Sequence, residues 1–314
     1  MSLPSYLPPS FIATNTQERG AVGVEWMKRL PSILSDCERR WSIKIGMPFA
    51  GLSYNYVAPA IRTDGTPLVV KICYPGREVT DEANALRVYA GAGAVDLLDF
   101  DDDLGIILLE HIKPGAMLSS IEDDAEATSI AASVMRQLRH PVPSGHSFFT
   151  VADWAKGMVR LRQEFDGGTG PFPAYLVGMA ERLFAVLLPS QAEPVLLHGD
   201  LHHYNILSAE RQPWLAIDPK GIVGEPAYET GALIRNPVPQ ILSAPNLDRI
   251  VARRIRQLSD ELSYDRQRIY GWAVAQAVLS AWWTYEDTEG NVGEDFYKFL
   301  EFTKVLASLE KIRA

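Results

Sequence analysis

Three residues late in the chain have the types and spacing for phosphoryl transfer. Asp200 and Asn205 share one polar loop, with four residues between them, in the run Val195-Leu196-Leu197-His198-Gly199-Asp200-Leu201-His202-His203-Tyr204-Asn205-Ile206-Leu207. A second apolar run, Trp214-Leu215-Ala216-Ile217, delivers Asp218. Apolar strand-like runs on either side hold the loop ends. Transfer from Mg-ATP needs an acid to accept the proton of the attacking hydroxyl, and hard oxygen ligands for the magnesium that neutralises the phosphates. Asp200 is the candidate base, and Asn205 and Asp218 are the candidate metal ligands. Taken singly, each has a plainer reading: a turn Asp after a Gly, a turn-forming Asn, a strand-end Asp before Pro219. The three in register weaken those readings together. His198 and His202 lack the Glu of a helical zinc motif and stand in a loop, so His198 is expected to brace the loop through hydrogen bonds.

The order Asp, four residues, Asn resembles the catalytic loop of protein kinases. His198 to Asn205 also matches His-Gly-Asp-Leu-His-x-x-Asn, the loop of small-molecule kinases related to aminoglycoside phosphotransferases, and Ile217-Asp218-Pro219 matches their metal-binding segment. Asp218-Pro219-Lys220-Gly221, then Gly224-Glu225-Pro226-Ala227-Tyr228-Glu229, then Arg235-Asn236-Pro237, resemble the aminoglycoside/hydroxyurea antibiotic resistance kinases, a family that includes streptomycin 6-kinases. The resemblance spans most of the chain. It implies a bilobal α+β protein-kinase-like fold, with a small antiparallel β lobe carrying one helix and a larger helical lobe. It also implies γ-phosphate transfer from ATP to a small-molecule hydroxyl, with streptomycin, at the 6-hydroxyl of its streptidine ring, as the named acceptor. Hydroxyurea or a host metabolite is the first alternative, and a nucleotide-binding pseudokinase without turnover is the second. No Ala-Pro-Glu follows Asp218, which disfavours a protein kinase.

The resemblance assigns further positions. Lys71 ends the apolar strand Leu68-Val69-Val70-Lys71-Ile72, and alternation puts Val69 and Lys71 on one face. Val69 would then meet adenine while Lys71 reaches the phosphates. Glu82, on the following helix, is the expected partner that orients Lys71, with Glu78 and Asp81 as neighbours that could be confused with it. No G-x-G-x-x-G follows the first strand, so Gly51, Ser53 and Asn55 are expected near the phosphates instead. Glu110 and Ile112, at the lobe boundary, complete the nucleotide set. Lys220 could reach the transferred phosphate. Glu225, Tyr228 and Glu229 are expected on the acceptor side, where carboxylates suit a cationic acceptor, while Arg235 and Asn236 could be structural. Trp282, Trp283, Tyr285, Glu286 and Asp287 form an aromatic and acidic helix end that could line the acceptor or simply pack.

The elements that must position these residues are legible as periodicity. Residues 1–15 read as an irregular arm, and 17–40 as a helical run that Pro31 either kinks or divides into two short helices. Strands are expected at 41–45, 53–61, 67–72, 95–100 and 106–110, with a helix at 77–90 and an Asp64-Gly65 turn. Helices follow at 121–139, 150–165, 172–188, 246–261, 264–287 and 293–312. The expected division is 1–40 as arm and helices, 41–112 as nucleotide lobe and 113–314 as catalytic and acceptor lobe. The 314 residues suffice for two lobes. A net charge of −9 argues against a nucleic-acid partner and is compatible with a cationic small molecule. Two cysteines exclude a disulfide scaffold. No signal peptide or run of about 20 apolar residues is visible, so no membrane partner is expected and the cytoplasm, where ATP is available, is the expected compartment.

Overall fold

Pro8 and Pro9 open a helix where an irregular arm was expected. In the computed structural model, which describes residues 3–238 and 240–309, α1 spans Pro9–Trp41. Proline is tolerated in a first turn because its missing N–H has no intrahelical partner there. The chain is not divided into two helices at Pro31, which keeps helical backbone angles. Trp26, Met27, Leu30, Ile33 and Cys37 are all buried around it, and their packing holds the helix through the proline. The backbone departs from helix at Gly20 instead (φ 54°, ψ −134°), a conformation open to a residue without Cβ.

The chain divides into two compact units, Met1–Lys113 and Pro114–Ala314. The first forty residues, expected as a separate segment, lie within the first unit. Its sheet has five antiparallel strands: β1 (Ile43–Ile45), β2 (Tyr56–Arg62), β3 (Pro67–Ile72), β4 (Leu97–Asp101) and β5 (Ile106–Glu110), ordered β1-β2-β3-β5-β4. Helix α2 (Arg77–Tyr89) joins β3 to β4 and ends at a left-handed Ala90. Tyr56, Ala58, Ala60, Leu68, Val70, Ile72, Ile106 and Leu108 form one core with the buried residues of α1. Cross-strand pairing puts Val57, Val69, Lys71, Ile107 and Leu109 on the opposite face.

The second unit is mainly helical. Among its described residues are α3 (Asp124–Gln137), α4 (Val151–Glu164), α5 (Ala174–Leu187), α6 (Thr230–Arg235), α7 (Leu247–Leu262), α8 (Arg266–Asp287) and α9 (Glu294–Ser308). The last expected helix extended to 312, and residues 310–312 lie outside the described ones. Two small sheets carry the functional loops. One is β6 (Pro114–Met117), β10 (Ile206–Ala209) and β11 (Trp214–Ala216), ordered β11-β10-β6. The other is β7 (His140–Pro141), β8 (Phe149–Thr150), β9 (Val195–Leu197) and β12 (Ile222–Gly224), ordered β7-β9-β12-β8. These two- to four-residue strands are too short for an alternation pattern, which is why periodicity missed β6, β7, β8 and β12.

Candidate active site

In the first unit, Lys71 and Glu82 form a buried ion pair. The Lys71 Nζ lies 2.7 Å from each Glu82 carboxylate oxygen. Of the three acids near the start of α2, Glu82 is the one on this lysine. Glu78 is exposed, and Asp81 is buried on Arg77 (3.1 Å). Val69 is partly exposed on the Lys71 face. Glu110 closes β5 with its carboxylate on the Asp96 N–H (3.1 Å), and Ile112 is buried. Gly51 (φ 75°), Ser53 and Asn55 lie in the turn before β2. Cys73 and Cys37 are both buried, and neither is in a disulfide.

In the second unit, short strands bring the loop 198–205 against Ile217 and Asp218. The Ile217 N–H donates to the Asn205 carbonyl (2.9 Å), and the Lys220 N–H donates to the His198 carbonyl (2.7 Å). His198 is fully buried. Its Nε2 meets the Ile217 carbonyl (2.8 Å), and its Nδ1 accepts the Asp200 N–H (3.3 Å). Both bonds require the neutral ring protonated on Nε2, and burial, the largest influence, pushes its pKa down to about 4. Asp218 has φ 63°, a left-handed conformation that Asp tolerates better than most residues.

The Asp200 side chain keeps 29 % exposure. Its Oδ1 accepts from Arg235 Nη2 (3.3 Å), and its Oδ2 lies 3.5 Å from His202 Nε2. Desolvation pulls its pKa upward, but His202, Arg235 and Lys220 outweigh this and hold it well below the usual carboxylate range. Asn205 Nδ2 donates to the Asp200 carbonyl (3.0 Å), and Asn205 Oδ1 accepts no hydrogen bond among the described residues. A neutral amide oxygen and the Asp218 carboxylate fit a hard divalent cation.

The three residues expected on the acceptor side are buried. Glu225, Tyr228 and Glu229 are 4 %, 0 % and 5 % exposed. Glu225 is bound by the Arg268 guanidinium and by Trp272 Nε1 (2.9 Å). Glu229 accepts the N–H groups of His198 (2.6 Å) and Gly199 (3.0 Å) from beneath the loop. Tyr228 packs edge-on against Trp272 and Trp154. Sequence distance from Asp218 suggested a place near the acceptor, but β12 turns this segment inward, where Glu229 holds the loop and Glu225 is taken up by Arg268 and Trp272 of α8. The aromatic end of α8 also packs: Trp282 is buried, stacked on Tyr285 among Phe165, Phe172 and Phe296, and Glu286 pairs with Arg160 (2.6 and 2.8 Å). Trp283 stands edge-on to Trp154 at 5.1 Å.

Arg235, read as structural, touches Asp200 and is anchored on Gln276 (2.8 Å). Arg254, fully buried in α7, donates to the carbonyls of Leu233 (2.9 Å) and Ile234 (3.0 Å) and fixes the end of α6 that carries Arg235. Only the Arg235-Asn236-Pro237 motif hinted at the first; the second was hidden in an ordinary amphipathic helix.

The model of the aminoglycoside/hydroxyurea antibiotic resistance kinases matches residues 40–288. A streptomycin 6-kinase of Streptomyces griseus is 32 % identical over 90 % of this chain and 92 % of its own length. A hydroxyurea phosphotransferase of Kitasatospora aureofaciens is 30 % identical over 90 % of this chain and 81 % of its own. Among solved structures, a thermostable aminoglycoside phosphotransferase APH(4)-Ia with ADP and hygromycin B is similar at a TM-score of 0.61 and 13 % identity, covering 87 % of this chain and 98 % of that one. That likeness shows the protein-kinase-like fold.

Proposed function

The chain belongs to the aminoglycoside/hydroxyurea antibiotic resistance kinase family, and we propose that it moves the γ-phosphate of ATP to the 6-hydroxyl of the streptidine ring of streptomycin. As a family member it is an ATP-dependent small-molecule kinase. The observation that carries the reading is the cross-bracing of Asp200, Asn205 and Asp218 through the Ile217–Asn205 and His198–Ile217 bonds. It pre-sets an acid and two oxygen ligands without reorganisation during reaction.

Magnesium held by Asn205 and Asp218 would neutralise phosphate charge. Lys71, oriented by Glu82, supplies a second positive group for the phosphates. Asp200 accepts a hydrogen bond from the acceptor hydroxyl and orients it. Three positive or polar neighbours make it a weak base, which suits a loose transition state in which the proton leaves late. A backbone placed around Lys220 by the His198 carbonyl makes that lysine a further candidate for the transferred phosphate.

A second reading, hydroxyurea as acceptor, is favoured by the Kitasatospora relative and by the burial of Glu225 and Glu229, which removes two acids that could select a cation. The test is ATP consumption by the purified protein with streptomycin, hydroxyurea and host metabolites, with phosphorus NMR on the product. Streptomycin-dependent turnover giving a 6-phosphate is expected. Turnover with hydroxyurea alone replaces the acceptor, and nucleotide binding without turnover on any acceptor contradicts the kinase reading.

A further inference from the structure

We propose that the N-terminal part of α1, through Ser10 and Asn15, presets the loop at residues 51–55 as the cradle for the nucleotide phosphates. The inference rests on the phosphotransferase reading for the identity of the anion, but its geometry lies wholly within the first unit. It also assigns work to a segment that precedes the family match, which begins at residue 40.

The loop between β1 and β2 lacks the repeated glycines that usually let a backbone wrap phosphates. Side chains from α1 hold it instead. Ser10 Oγ donates to the Leu52 carbonyl (2.8 Å). Asn15 is fully buried, and its Nδ2 donates to the carbonyls of Ser53 (3.1 Å), Tyr54 (3.3 Å) and Phe11 (3.0 Å). Arg19 Nη1 donates to Asn15 Oδ1 (2.8 Å), which fixes the amide orientation. Three successive carbonyls are therefore turned toward α1. In a trans peptide the C=O and the following N–H point in opposite directions, so the N–H groups of Ser53, Tyr54 and Asn55 are turned away from α1. A row of successive N–H groups is an anion-binding concavity. Neither the Ser53 nor the Asn55 N–H has an acceptor among the described residues.

The register places this row beside a second positive group. Val57, two residues after Asn55, is the cross-strand partner of Lys71. The direction of the α1 segment is set by two glycines. Gly20 takes its non-helical conformation, and a Cβ on Gly23 would stand 2.4 Å from the Asn15 carbonyl oxygen. The chain thus turns sharply enough for Asn15 to reach the loop.

The test titrates the full chain and its Asn15→Ala and Ser10→Ala variants with Mg-ATP and, separately, with AMP, which lacks the β- and γ-phosphates. Leaving the loop carbonyls without their buried donor is expected to weaken ATP roughly ten-fold in Asn15→Ala and about three-fold in Ser10→Ala, with AMP unchanged within about two-fold. KM for ATP should rise more than kcat falls. A merely structural role would move ATP and AMP together, and that result overturns the cradle. So does a wild-type preference for ATP over AMP that survives in both variants. Ser10→Ala keeps the test decisive if Asn15→Ala does not fold. A wild-type chain that binds ATP and AMP equally and turns over no acceptor overturns the phosphotransferase reading along with the cradle.

Discussion

Asp200 and Glu229 are both carboxylates of the second unit, and both serve the loop 198–205, yet their surroundings push them in opposite directions. Glu229 is pushed up to about 7, chiefly by burial, although it accepts backbone N–H groups of the loop. Asp200 is held low because Arg235, His202 and Lys220 outweigh its desolvation. One acid meets only uncharged donors and is buried from every side; the other meets charged partners and keeps an exposed edge. On the proposed reading the difference separates an acid that braces from an acid that reacts.

The largest expected effect falls on the reactive side. On the proposed reading Asp200 meets the acceptor and not the nucleotide, so Asp200→Asn should lower kcat by about three orders of magnitude or more while leaving Mg-ATP affinity near that of the wild type. Calorimetry and steady-state kinetics on one preparation check this, and an unchanged kcat removes Asp200 from the role.

Arg235→Met tests why the two acids differ. Without the guanidinium the Asp200 pKa rises, so the acidic limb of the kcat profile should move to higher pH, and a loss at neutral pH, where the carboxylate stays ionised, reports its lost positioning. An acidic limb that stays in place means His202 and Lys220 suffice.

Glu229→Gln should act on stability first, costing about 1–3 kcal/mol as one N–H loses its acceptor. The pH dependence has a definite sign. A carboxyl whose folded pKa lies above its unfolded value, about 7 against 4.5, contributes stability that is complete below about pH 4.5 and is lost as pH rises through about 7. Denaturant unfolding should therefore show the wild type losing ground relative to Glu229→Gln across that window, and a constant difference contradicts the raised pKa.

The smallest kinetic effect belongs to Glu225→Gln. Its partners are Arg268 and Trp272, so melting temperature should fall while acceptor KM stays within about two-fold. A large rise in acceptor KM at unchanged melting temperature would return Glu225 to the acceptor side.

The long elements were legible because their apolar periods are long. Helices α3 to α5 and α7 to α8, and strands β2, β3 and β5, lie within two or three residues of where alternation and helical spacing put them. Helix α1 shows the limit. A proline is a local signal for a break, but burial of its neighbours overrode it, and the departure came at a glycine. At the site, spacing singled out Asp200, Asn205 and Asp218 because they lie in one short loop and one strand end. It could not show that Glu225 and Glu229 point inward, since direction depends on the three-residue β12. Nor could it show that Arg235 reaches Asp200, since that needs α6 to be pinned by a buried Arg254 from α7. Asn15 was invisible for the same reason, its partners being about forty residues away.

The most direct test of the division between bracing and reacting acids is to measure equilibrium unfolding and kcat side by side for Asp200→Asn and Glu229→Gln. The account predicts that Asp200→Asn stays within about 1 kcal/mol of wild-type stability with turnover abolished, while Glu229→Gln is destabilised by more than that and keeps measurable turnover where it is folded. Wild-type stability with abolished turnover in Glu229→Gln, together with an active Asp200→Asn, would contradict it.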